Sequence, residues 1–242
     1  MKRQNGLKWR MVSAAAVAIA FPASSALAGT LVGKTTFSNK NGEAEKRTVV
    51  KMEADPACVA ANQGKKVGSE DVIVNKSDNT LQNVMIYIKN APKGEAPKEG
   101  AVMDQKGCMY SPHVLTLTVG QTMTVRNSDE TLHNIHGLPQ QNPEFNFGQP
   151  RAGMTKDLTF ERPEIFKVKC DVHPWMGAYI GVFEHPFHTV SDKEGAYKID
   201  NLPAGEYEVV AWHEVYGEST QKVSVKDGGP TELNFEISVQ KK

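Results

Sequence analysis

After residue 29, apolar side chains recur at every second position in short runs cut by Gly, Pro, Asn and Asp. No segment carries an apolar stripe at helical spacing through three turns. A chain patterned this way buries its apolar surface by stacking sheets, so the expected fold class is all-β. Predicted strands are Thr30 to Phe37, Thr48 to Glu53, Asp71 to Asn75, Leu81 to Lys89, Val114 to Val119, Thr122 to Arg126, Asp157 to Glu161, Ile165 to Cys170 and Ala178 to Glu184. Gly120-Gln121 reads as a hairpin turn between two of them. Asn90 to Gln105, with Pro92, Gly94, Pro97 and Gly100, reads as a loop or linker. Gly137 to Met154, with three prolines, reads as a long loop of the kind that covers a functional site.

The first 28 residues have a different character. Lys2, Arg3, Lys8 and Arg10 precede an apolar run from Met11 to Phe21 and then Ala26-Leu27-Ala28, the pattern of a secretory signal peptide. That run is shorter than the roughly 20 residues needed to span a bilayer. The mature chain is therefore expected to start at Gly29, in the periplasm or outside the cell, with no membrane span. Removing four of the 28 basic residues leaves 24 against 28 acidic ones, a net charge of about −4 that argues against nucleic acid as a partner.

Three cysteines in an exported chain leave one without a disulfide partner. Cys58 and Cys108 lie among polar turn residues and are the expected disulfide. Cys170 instead closes an apolar strand and opens the run Cys170-Asp171-Val172-His173-Pro174-Trp175-Met176. Thiolate, imidazole and thioether at that spacing form a donor set suited to copper, whereas zinc sites usually pair cysteines or add histidines. A second imidazole is needed, and Leu132-His133-Asn134-Ile135 supplies it. His136 is the local competitor for that role, with a supporting or surface role expected instead. His113, His185, His188 and His213 are expected to be satisfied by local hydrogen bonds rather than to form a second metal site.

The His-Asn segment resembles the first-histidine segment of plastocyanin-like cupredoxins, and Cys-x2-His-x2-Met is similar to the ligand loop of amicyanin. The resemblance runs over Val114 to Glu184. It implies a Greek-key β-sandwich binding one type 1 (blue) copper through His133, Cys170, His173 and Met176, with His173 partly exposed as the electron exit. It also implies supporting roles for Asn134, which would hydrogen-bond the ligand loop, and for Pro174, and an apolar docking rim at Trp175. The implied partners are a redox protein donor and acceptor.

After His185-Pro186 the pattern shortens. Asp192 to Gly195, Tyr197 and Leu202-Pro203-Ala204-Gly205-Glu206-Tyr207 resemble the carboxypeptidase regulatory-like, transthyretin-type β-sandwich modules. The expected organisation is a signal peptide at 1–28, an N-terminal β extension of the cupredoxin domain at 29–105, a copper-binding core at 106–185 and a small β-sandwich module at 186–242. No catalytic machinery is evident, and Cys170 lacks the His-Cys-His wiring of multicopper enzymes, so the chain is expected not to be an enzyme. Copper handling and a cell-envelope binding module are the alternative functions.

Overall fold

The computed structural model describes residues 28–239; the expected signal peptide lies outside them except for Ala28. The chain is all-β. Its strands are β1 (Gly29–Ser38), β2 (Met85–Ile88), β3 (Ala101–Lys106), β4 (Met109–Ser111), β5 (Val114–Thr118), β6 (Met123–Asn127), β7 (His133–Gly137), β8 (Phe145–Gln149) and β9 (Thr155–Leu158). They continue with β10 (Glu164–Lys169), β11 (Gly177–Phe183), β12 (His188–Val190), β13 (Ala196–Leu202), β14 (Gly205–His213), β15 (Gly217–Val225), β16 (Pro230–Glu232) and β17 (Phe235–Ser238). Among the described residues a short α-helix, α1 (Pro56–Ala61), is capped by Asp55, whose carboxylate accepts from the N–H groups of Ala57 and Cys58.

Two sandwiches result. In the first, the sheet β5-β11-β10-β7-β8 faces β4-β3-β6-β9 over a core that includes Met103, Leu117, Val125, Ile135, Phe166, Val168 and Ile180. In the second, β1 with β13, β16 and β17 faces β12-β2-β14-β15 over Leu31, Phe37, Ile86, Ile88, Ile199, Val209 and Phe235. The strand β11 packs on both. Ala178, Ile180 and Val182 enter the first core, while Phe183 meets Met85 and Val114 in a small cluster between the sandwiches. This is why β11 reads as a continuous apolar run rather than an alternating one. Gly181 lies where the sandwiches touch, and a Cβ there would stand 2.7 Å from Met85 Sδ, too close without a shift of the Met85 side chain.

The pairing departs from several expectations. β1 pairs with β13, β16 and β17, and β2 with β12 and β14, so these strands of the 29–105 segment are hydrogen-bonded to the C-terminal strands. Apolar alternation sets which face is buried but not which strand is the neighbour. Gly120-Gln121 does not close a hairpin: β5 pairs in parallel with β11 and β6 in parallel with β3, in opposite sheets. The strands expected at Thr48 to Glu53 and Asp71 to Asn75 reduce to isolated bridges, Val49 to Gly68 and Val74 to Leu81.

Conversely, β3 lies inside the segment read as a loop, and β8 inside the long stretch after Gly137. β3 escaped notice because its buried positions include Asp104 and Gln105. The Asp104 carboxylate accepts from Arg126 and Ser128 and the Gln105 amide NH2 donates to Gln149, while Gln105 Oε1 has no partner.

Candidate metal centre

β10 pairs with β7 on one side and β11 on the other, which brings the loop after Lys169 beside the strand that opens at His133. That loop is wound tightly by its own hydrogen bonds. Cys170 N–H donates to the Met176 carbonyl (3.2 Å), Met176 N–H to the His173 carbonyl (2.9 Å), and His173 N–H to Cys170 Sγ (3.3 Å). Asn134 fixes the loop from outside: its Oδ1 accepts from Asp171 N–H (2.6 Å), and its own carbonyl accepts from the Tyr110 hydroxyl (2.6 Å).

The result is a convergence of donors. Ligand atoms of His133, Cys170 and His173 all lie within 4.8 Å of one another, and all three residues are buried. His133 Nδ1 is 3.0 Å from His173 Nδ1, which is 3.8 Å from Cys170 Sγ. The far nitrogens are held by carboxylates: His133 Nε2 donates to Asp129 Oδ2 (2.9 Å) and His173 Nε2 to Asp55 Oδ2 (2.8 Å). A proton fixed at Nε2 turns the Nδ1 atom of each ring inward, so two ring nitrogens and a sulfur face one another, a set that suits a cation once the proton His133 holds there is displaced. Met176, only 1 % exposed, is buried at the end of the same loop.

Electrostatics support a thiolate. Burial raises the Cys170 pKa, but contact with His133 and the N–H groups of Asn134, His173 and Val172 outweighs it and brings the thiol down to about 7. Burial pulls His133 down, and Asp129 with the cysteine sulfur more than reverses this, raising it to about 9. The residues fit a metal ion, which would take the place of the proton held between this histidine and cysteine.

His136 is not part of the cluster. Its Nδ1 faces Asp171 (2.9 Å) and its Nε2 faces Glu144 (2.8 Å), both on the outer side of β7. Pro174 is exposed, and Trp175 is half-buried against the His173 ring with its indole N–H donating to the Cys108 carbonyl (3.0 Å). Cys58 and Cys108 form the disulfide, and Cys170 is the free thiol.

The expectation of a partly exposed His173 needs correction. It is 2 % exposed, because Asp55 and Cys58 at the start of α1 cover its Nε2 edge, with Cys58 Sγ 3.5 Å away. Asp55 and Asp129 are the residues that sequence reasoning missed. Asp129 stands four residues before His133 in a polar turn and was findable as a nearby carboxylate. Asp55 is 118 residues from His173 and left no local signal.

A carboxypeptidase regulatory-like domain model matches residues 173–238, starting earlier than the expected module and including β11. Among solved structures, the chain is similar to a copper-containing nitrite reductase from Thermus scotoductus SA-01, with 25 % identity, 40 % of this chain, 25 % of that chain and a TM-score of 0.32. It is likewise similar to an amicyanin mutant in the Cu(I) state, with 22 % identity, 40 % and 97 % of the two chains and a TM-score of 0.32. A purple cupredoxin from Nitrosopumilus maritimus matches with 27 % identity over 34 % and 98 % of the chains, at a TM-score of 0.29. The chain thus spans only a quarter of the nitrite reductase chain. No curated protein matches the sequence.

Proposed function

We propose that this protein is a periplasmic or exported type 1 copper protein that binds one copper ion and carries single electrons between redox partners, without being an enzyme. The observation that carries the reading is the convergence of His133 Nδ1, His173 Nδ1 and Cys170 Sγ, with both Nε2 atoms held by carboxylates. Two imidazoles, one thiolate and a nearby thioether are a donor set for copper. A bound copper would supply one-electron chemistry.

The chain's own residues then do three things. Asp55 and Asp129 orient the rings and fix their tautomers. Asn134 and the wound loop from Cys170 to Met176 hold the donors in place, so that little needs to move when charge changes. Burial of His133, Cys170, His173 and Met176 excludes water. Such burial favours electron transfer over copper delivery, because a partner that accepts metal must reach the donors, whereas an electron only needs a short path. With His173 covered, the exposed apolar groups beside the ligands are Val172 and Leu132, 45 % and 43 % exposed, and these form the docking face in this reading. Among the described residues no helix is long and apolar enough to cross a membrane.

Absorption and EPR spectra of the copper-loaded protein test the reading. Intense thiolate-to-copper charge transfer with reversible one-electron reduction is expected; a colourless protein that binds Cu(I) tightly would favour copper handling.

A further inference from the structure

A second group of metal-binding side chains lies away from the cysteine site, where the two sandwiches meet. His113 stands between β4 and β5 in the first sandwich, and its carbonyl accepts from Tyr179 N–H of β11 (2.9 Å). Glu214 stands in the turn between β14 and β15 of the second. Glu70 and Asp71 come from the long segment between α1 and β2. Ligand atoms of Asp71, His113 and Glu214 lie within 4.8 Å of one another.

The polar accounting here is incomplete. His113 is 6 % exposed; its Nε2 contacts Glu214 Oε1, but its Nδ1 is buried with no hydrogen-bond partner. That nitrogen is 3.9 Å from Glu70 Oε2, which is also buried and unpartnered. A separation of 3.9 Å is too long for a hydrogen bond, so Nδ1 and Glu70 need a small closure to pair; with Glu70 behind the ring, the Nε2 edge beside Glu214 and Asp71 is the one turned toward a cation.

Charge points the same way. Three carboxylates surround one imidazole, and the nearby cation, Arg47, is committed to the carbonyls of Gly68 and Ser69. Formally the three carboxylates outnumber the one imidazole, while burial pushes the Glu70 carboxyl up toward its neutral form. A buried carboxylate oxygen without a partner, as Glu70 Oε2 is, is costly unless something positive lies close by.

We propose that His113 through Nε2, Glu214 and Asp71 bind a divalent ion of the zinc class, with Glu70 behind the ring at Nδ1, and that the ion fastens the loop before β5, the β14–β15 turn and the 70–71 segment together. One imidazole with carboxylate oxygens suits Zn2+ and lacks the sulfur that selects Cu(I). The ion links segments that strand hydrogen bonds leave unconnected, so its effect is on the stability of the junction. The inference is independent of what Cys170 binds.

Zinc chloride is the probe. Titrate it calorimetrically into the full chain carrying Cys170→Ser, which removes the sulfur donor of the first site, and into the same protein with Asp71→Asn and Glu214→Gln added. Asp71 is exposed and both changes are isosteric, so circular dichroism is expected to be unchanged. One equivalent of zinc and a rise in Tm of several degrees are expected in the first protein, with at least a tenfold weaker affinity and no Tm rise in the second. Absence of zinc binding in the first protein, or equal affinity in the two, overturns the proposal and leaves His113 as the hub of an ordinary ion-pair cluster.

Discussion

Replacing Asp55 with Asn separates the two tasks that this carboxylate performs. Oδ1 accepts from the N–H groups of Ala57 (2.8 Å) and Cys58 (3.3 Å), capping α1, while Oδ2 accepts from His173 Nε2 (2.8 Å). Asn has a single acceptor oxygen and cannot serve both sides. With that oxygen on the cap, the amide NH2 meets the His173 Nε2–H, donor against donor. The ring then favours the proton at Nδ1, the position that the metal needs. Loss of such a carboxylate behind a ligating histidine lowers metal affinity about 10- to 100-fold, or about 1.4 to 2.8 kcal/mol.

With the oxygen turned to His173 instead, affinity survives but the cap is lost, at about 1 kcal/mol of stability. Asp55→Ala loses both. The assay is a competition titration with a copper chelator alongside urea unfolding of the metal-free protein. Affinity within twofold of wild type together with unchanged stability in Asp55→Asn would refute the claim that Asp55 orients this ligand.

Further outcomes follow from the same geometry. Cys170→Ala is expected to abolish thiolate-to-copper absorption while costing only about 1 kcal/mol of stability, since it removes one buried sulfur; retained colour would overturn the ligand assignment. Breaking the Cys58–Cys108 bridge, which closes a separation of 50 residues, is expected to cost about 4 kcal/mol by the loop-entropy relation, read from urea unfolding of the Cys58→Ala/Cys108→Ala protein. Copper uptake should release about one proton between pH 7 and 9, where His133 holds one, and approach two below pH 7, where Cys170 is also protonated. Apparent affinity therefore rises with pH, by about tenfold per unit in the upper window; titrations in buffers of different ionisation enthalpy count the protons, and a pH-independent count would contradict the assignment. Gly33→Ala places a Cβ 1.8 Å from the Leu233 carbonyl oxygen and is expected to cost about 3 kcal/mol, measured by thermal unfolding.

Much of the site was legible because it is local. Cys170, His173 and Met176 fall within seven residues, and the spacing alone brings a sulfur and a ring nitrogen together once the loop closes. The buried-exposed alternation of Phe235 to Ile237 and the half-buried-to-exposed alternation of Gly217 to Val225 likewise show in the sequence, because a strand's two faces meet different surroundings. The polar strand β3 was hidden for the converse reason: Gln105 is fully buried by virtue of hydrogen bonds to groups more than 20 residues away.

The sequence by itself determined the all-β class, the odd cysteine count that leaves one thiol over, and the cluster of donor types around Cys170. Each follows from composition, from periodicity or from chemistry carried by near neighbours in the chain. The Cys58–Cys108 bridge it only suggested, and the structure forms it. Only the tertiary structure decided that β1 and β2 pair with C-terminal strands, that β5 and β6 part into opposite sheets, and that Asp55 covers His173. A strand's pattern specifies a wet and a dry face but leaves its edges, the backbone N–H and C=O groups, alike for every partner. Which edges meet depends on how the whole chain closes, and so therefore does which distant carboxylate reaches a ligand.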